Sequence, residues 1–350
     1  MTPKTPAEKG YRMPAEWEPH EATWISWPHS DCNSFPGSYA RVLPSFVAMA
    51  EALAESETVR INVDNAEQEK TVRALLKHCP PERLEFFHIP TDEPWCRDHG
   101  PIFVVRDKDP KIAALDFGFN AWGYKLSPFD EDNAVPPAIA SALGIPVFDY
   151  SHFILEGGSI DTNGQGTVLT TESCLLNPNR NPSKDRAAIE KKLRDTLGVK
   201  SILWLGDGIE GDDTDGHVDD ITRFIGPSTV ITAVEEDEHD PNFEPLQRNL
   251  DRLHIMRLPS GEPLHVLTLP MPPRMEREGQ RLPASYANFY IANTSVLLPI
   301  YGGQNDPWAV SALHEAFPTR KIVPIDCREL IWGLGAFHCL TQQQPAVPKS

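Results

Sequence analysis

The sequence predicts an α/β fold assembled from repeated small units, on two observations. Helical patterning recurs over residues 40–54, 66–77, 133–143, 184–197, 243–253 and 307–317. Each of these segments is followed by a short apolar or β-branched run, at 59–63, 84–89, 145–148, 202–205, 264–269 and 322–325, the alternation expected of α/β chains. A second set of strand-like runs, at 23–27, 102–105, 167–170, 229–232 and 295–298, starts 79, 65, 62 and 66 residues apart, a spacing that suggests five modules of a few strands and a helix each. The fourth helix is the clearest: Ser183 is placed to cap it, Ile189, Leu193 and Leu197 form one apolar stripe, and Gly198 ends it. No Gly-rich turn joins a first strand to a helix as a dinucleotide fold requires; Glu156-Gly157-Gly158 follows an apolar run but lacks that fingerprint, and there is no P-loop.

No Gly/Ser-rich linker divides the chain, so residues 1–350 are expected to form one domain, with flexible ends at 1–10 and 346–350 and a tail fraying from Gln344. Proline is abundant, 34 of 350 residues against an average of about 5%, which predicts many loops; the stretch 270–283 is expected to be a long surface loop. The formal charge of −18 argues against a nucleic-acid or anionic-membrane partner, which a basic surface would serve. No run approaches a membrane span, and the polar first ten residues do not resemble a signal peptide. The six cysteines show no C-x-x-C spacing. They are expected to be free thiols in a reducing cytoplasm. A homodimer is the default assembly.

Four segments set ionisable residues among turn-like glycines beside strands: 93–101 (EPWCRDHGP), 155–158 (LEGG), 211–220 (GDDTDGHVDD) and 333–345 (GLGAFHCLTQQQP). The third resembles a calcium loop, with Asp213 and Asp215 at two ligand positions, but Gly211 and Thr222 stand where the first and last ligands belong. On an extended segment His217 and Asp219 would face the same way, with Val218 packed behind. In the fourth, Cys339 sits in a glycine-bounded turn. A thiolate nucleophile needs a base or cation; His338, adjacent in sequence, would face away on a strand, which leaves His217 as the partner. Cys96 is the competing cysteine. Carboxylates raise a thiol's pKa, so acids around a nucleophilic cysteine make sense where the substrate is a cation. A guanidinium matches paired carboxylates, and Trp95 could cover its face or its alkyl stem.

With these residues in view, the chain resembles the bacterial agmatine deiminase group of the guanidine-modifying superfamily, which includes peptidyl-arginine deiminases. The matching segments are 13–20 (MPAEWEPH), 95–101 (WCRDHGP), 156–158 (EGG), 213–219 (DTDGHVD) and 335–343 (GAFHCLTQQ), in family order. The resemblance implies a five-bladed α/β propeller with the active site on its pseudo-fivefold axis. It implies Cys339 as nucleophile, His217 as general acid/base and Asp98 and Asp219 as the pair that holds the guanidinium, with Glu156 also lining the site; Trp95 and Asp213 complete the candidate substrate-binding residues. Leu334, Ala336 and Phe337 depart from the family's glycine-rich run before His-Cys. The implied reaction hydrolyses a guanidinium to a urea with release of ammonia, through an S-alkyl-thiouronium on Cys339, without metal or organic cofactor; for agmatine the product is N-carbamoylputrescine. Deimination of free or peptidyl arginine, amidino transfer to an amine, a papain-like protease and a non-catalytic binder of cationic ligands are the alternatives.

Overall fold

The computed structural model describes residues 4–347. They form a mixed α/β fold whose strands fall into five small sheets and one two-stranded hairpin. Four sheets share one plan: a short inner strand pairs antiparallel with the next strand, a helix crosses over, and a third strand returns parallel to the second. These are Ile102–Val105, Ile112–Gly118 and Val147–Ile154; Ile160–Thr162, Thr167–Thr171 and Ser201–Leu205; Thr222–Phe224, Thr229–Val234 and His265–Pro270; and Tyr290–Ile291, Ser295–Ile300 and Lys321–Asp326. The remaining sheet joins both ends of the chain. Its inner strand is Thr341–Pro345, antiparallel to His20–Ser26, which is parallel to Thr58–Val63, itself parallel to Leu84–His88.

The helices follow the apolar periodicity. Tyr39–Ala54 buries Val42, Phe46, Met49 and Leu53 at 3.6-residue spacing. Arg186–Leu197 buries Ile189, Leu193 and Leu197 and ends at Gly198 in the left-handed conformation. Its cap is Asp185, whose carboxylate accepts from Ala188 N at 2.8 Å; Ser183 lies too far upstream to serve. Asn65 caps Ala66–Leu75 in the same way.

Three expectations change. The second sheet's central strand is Ile112–Gly118, not 102–105, which is its inner strand; the sequence Ile-Ala-Ala-Leu-Asp-Phe-Gly has one β-branched residue and hides a fully buried strand. Residues 270–283 are not one open loop: Glu276–Arg277 and Gln280–Arg281 pair as a hairpin around Glu278 and Gly279, both at positive φ. Residues 344 and 345 end a buried strand, and Ala346 N donates to Pro19 O. At the other end Ala7–Lys9 forms a 3-10 turn closed on Gly10. The rest of the expected free ends, residues 1–3 and 348–350, lies outside the described residues.

Candidate active site

The segment that enters each inner strand is a tight turn. Cys96–His99, Gly157–Ser159, Val218–Asp220 and Phe337–Leu340 are single helical turns that precede the inner strands of four sheets, and residues 286–289 lead into that of the fifth. These turns carry Asp98, Gly158, Asp219, Cys339 and Asn288, and the structure brings the five together. A Cβ on Gly158 would lie 2.5 Å from His217 Nδ1, 2.8 Å from Asp98 Oδ1 and 2.9 Å from Asp219 Oδ2, so glycine is what allows these three side chains to share one space.

Asp98 accepts from Gly158 N and from Trp122 Nε1, each at 3.0 Å, and its Oδ1 lies 3.7 Å from His217 Nδ1. Asn288 Nδ2 donates to Cys339 Sγ at 3.0 Å, and its Oδ1 accepts from His338 N and Cys339 N. The thiol reaches Asp219 Oδ2 at 3.8 Å. Arg180 Nε donates to Glu156 Oε1 at 2.5 Å. Among the buried polar atoms here that make no hydrogen bond are Glu156 Oε2, Asp219 Oδ1 and both ring nitrogens of His217. Unsatisfied buried acceptors are costly; the carboxylate oxygens of this group suit a cation rich in N–H donors.

The electrostatics agree. Burial pushes Asp98 up to about 6, with Asp219 and Glu156 adding to the effect and His217 opposing it. Burial disfavours the His217 imidazolium, yet Asp98, Cys174 and Asp219 together hold its pKa well above the ordinary range. The Cys339 thiol is pushed well up by burial and then by Asp219, Asp220 and Asp98, which favours its neutral form.

Above Cys339 opens a cleft of about 110 Å³, walled by Trp95, Trp122, Trp332 and Leu334, with Asp98 and Asp213 among its polar lining and no Lys or Arg. Trp95 is fixed by Nε1 donating to Ser34 Oγ at 2.8 Å; Gly335 lies flat against its ring, where a Cβ would come within 2.6 Å. The three arginines available to a substrate carboxylate are engaged elsewhere: Arg12 with Glu18 at 2.7 Å, Arg97 with Gln342, Gln343 and Glu16, Arg180 with Glu156 and Asp215. Lys125 holds Asp215 Oδ1 at 2.8 Å.

Two local expectations change. His217 and Asp219 meet because Val218–Asp220 is a helical turn, not an extended segment. His338 does not face away: its Nδ1 meets Asp219 Oδ2 at 2.6 Å. The calcium-like loop is tied by protein donors, with Thr214 N and Oγ and His217 N on Asp212 and Asn179, Arg180 and Lys125 on Asp215. Cys96 is fully buried beside Trp24, and its thiol is pushed up to about 12, chiefly by burial. Trp122, Asn288 and Cys174, whose sulfur lies within 4.8 Å of the His217 ring and the Glu156 carboxylate, carry no pattern in the sequence that marks them. Trp122 lies in the Asn120–Gly123 turn, where the structure has positive φ at Ala121, Trp122 and Gly123.

Residues 12–345 match the family model of Porphyromonas-type peptidyl-arginine deiminase. The chain belongs to this deiminase family. Among its relatives, the agmatine deiminase of Pseudomonas aeruginosa (strain LESB58) is 38% identical over 99% of this chain and 98% of that protein. Solved structures of the deiminase family superpose closely. The agmatine deiminase of Enterococcus faecalis covers 99% of this chain and 98% of its own, with TM-score 0.91 and 36% identity. A substrate-bound agmatine deiminase of C. jejuni covers 95% and 96%, with TM-score 0.86 and 34% identity. An amidinotransferase of Microseira wollei, 13% identical with TM-score 0.50, shares the deiminase fold only.

Proposed function

We propose that this chain is a cysteine-dependent agmatine deiminase, converting agmatine and water to N-carbamoylputrescine and ammonia. The observation that carries this reading is the cluster of unpartnered buried acceptors beside Cys339 and under a cleft without a basic side chain. The names of the 34–38% identical relatives support it.

In this reading Asp98 and Asp219 hold the guanidinium nitrogens and Glu156 Oε2 takes a further N–H. The bound cation offsets the acids that keep the thiol neutral, so Cys339 gives up its proton to solvent as substrate arrives. Its sulfur bonds to the guanidinium carbon. His217 gives a proton to the departing nitrogen, which leaves as ammonia, and an S-alkyl-thiouronium remains. His217 then takes a proton from water, the water oxygen bonds to the carbon, and the C–S bond breaks to release the urea and the thiolate. Trp95 flanks the alkyl stem, and Asp213 faces the distal amine. Free arginine would bring its carboxylate into a cleft with acids and no free cation, a juxtaposition that costs several kcal/mol.

The architecture in this reading is a five-bladed propeller. Four sheets of one plan, a fifth whose inner strand is likewise antiparallel to its neighbour, and five turns that meet at one site support it. The six free cysteines support a reducing, cytoplasmic setting, and among the described residues no helix is long and apolar enough to cross a membrane. A homodimer is proposed on the frequency of twofold assemblies, with light scattering as its measurement.

The test is ammonia release from agmatine, arginine, a methylated arginine and an arginyl peptide. Agmatine should lead arginine by about 100-fold in kcat/KM, which corresponds to ~3 kcal/mol. Equal values, or a preference for arginine, would overturn the substrate assignment.

A further inference from the structure

Beneath Asp219 lies a closed set of buried ionic groups that the reaction does not touch. His338 stands between two carboxylates: Nδ1 meets Asp219 Oδ2 at 2.6 Å and Nε2 meets Glu16 Oε2 at 2.8 Å. A carboxylate is an acceptor only, and a neutral imidazole has a single N–H. One of the two contacts therefore needs an additional proton. Glu16 cannot supply it, because four donors already surround its oxygens: His338, Arg97 Nη2 at 3.2 Å, Arg223 Nη2 at 2.9 Å and Ile291 N at 2.8 Å. The proton then belongs to the His338–Asp219 contact. On the Glu16 side of the pair, Arg223 also binds Asp161 and Arg97 binds Glu16, while Asp98, Asp220 and His217 are the other charged groups near Asp219. With His338 as imidazolium, three cations (His338, Arg97, Arg223) balance three anions (Glu16, Asp161, Asp219), all with side chains at most 6% exposed. With His338 neutral the same set is short of one positive charge in a low-dielectric interior, where an unmatched charge is expensive.

We propose that His338 is a positioning residue, an imidazolium locked between Glu16 and Asp219 that keeps Asp219 anionic and fixes its carboxylate beside Cys339. The inference rests on the guanidine-hydrolase reading above and adds to it a built-in cation behind one of the two holding carboxylates. His338 touches no substrate in this arrangement. It fixes the charge of a residue that does; Asp98, His217, Asp220 and Cys339 are the other titratable groups packed against Asp219. Glu16, from the segment 13–20, is the anchor of the set.

Two measurements on the full-length protein test this. In ¹⁵N-histidine-labelled wild type, the resonances assigned to His338 through the His338→Gln variant should show both ring nitrogens protonated under the conditions of the activity assay; a neutral tautomer there overturns the proposal. In kinetics with agmatine, His338→Gln should move the acid limb of kcat/KM upward by one pH unit or more, with activity recovering to within about tenfold of wild type at alkaline pH. A loss by the same factor at every pH would mean a merely structural role and overturns the proposal. If wild type releases no ammonia from any guanidine, the hydrolase reading fails, and the resonance measurement still decides the state of His338.

Discussion

Replacing Gly158 by alanine is expected to disable the site while leaving the chain folded. The glycine is not at positive φ, so alanine meets no backbone strain there. The new methyl would lie 2.5, 2.8 and 2.9 Å from His217 Nδ1, Asp98 Oδ1 and Asp219 Oδ2, against an ordinary contact of about 3.5 Å. The shortfall is therefore about 0.6–1.0 Å, and each of the three groups would have to retreat by a comparable distance. Displacing reacting groups by ~1 Å costs on the order of 100-fold in rate, about 2.7 kcal/mol of transition-state stabilisation. Overpacking costs ~1–3 kcal/mol of stability, so the variant should remain folded by circular dichroism with a lowered melting temperature. Ammonia release from agmatine over a range of concentrations reads the effect as a fall in kcat/KM. A variant with wild-type kinetics would refute the reasoning, because it would mean that His217, Asp98 and Asp219 need not share this space for turnover.

Cys339→Ser should lose several orders of magnitude in turnover, whereas Cys96→Ser should keep its activity per folded molecule and lose stability by ~1–3 kcal/mol for burying a hydroxyl; active-site titration with a haloacetamidine separates the two. Asp98, raised to about 6 by burial, should give kcat/KM an acid limb near pH 6, below which the protonated carboxyl no longer holds the cation. Its effect on stability has the opposite sign: the unfolded value is near 3.9, so the proton held by the folded chain is stabilising at low pH and that contribution is lost as pH rises through about 6. Asp98→Asn should flatten this component of melting temperature against pH. Dialysis against EDTA should leave turnover unchanged; a loss restored by a divalent ion would instead make Asp219, Asp220 and Cys339, whose ligand atoms lie within 4.8 Å of one another, a metal site.

The parts of the fold legible in the sequence were those where one signal dominates. Leu193 and Leu197 face a core at helical spacing, and the parallel strands after each helix are apolar runs. Ile112–Gly118 escaped because its alanines and glycine carry little β preference, although burial on all sides makes it a strand. Thr341–Pro345 escaped because three glutamines resemble solvent-exposed residues; they are buried because Arg97, Trp24 and Arg60 supply their partners. At the site, the acids and the cysteine stood out as ionisable residues in glycine-flanked turns. His338 was misplaced because the period-two argument treats a helical turn as a strand. Asn288 has no local signature at all: its role comes from a contact with Cys339 that spans 51 residues.

The sheet shared by the chain's two ends also bears on how the protein matures. Cys339 is two residues from the strand Thr341–Pro345, which docks against His20–Ser26 across some 320 positions of sequence. A contact of such range is paid for late, after loop-closure entropy has been met by the rest of the fold. During synthesis the other four sheets can form while this last strand is still within the ribosome. Cys339 therefore gains its neighbours after the acids of the site are in place, and a molecule clipped before residue 339 carries those acids without the proposed nucleophile.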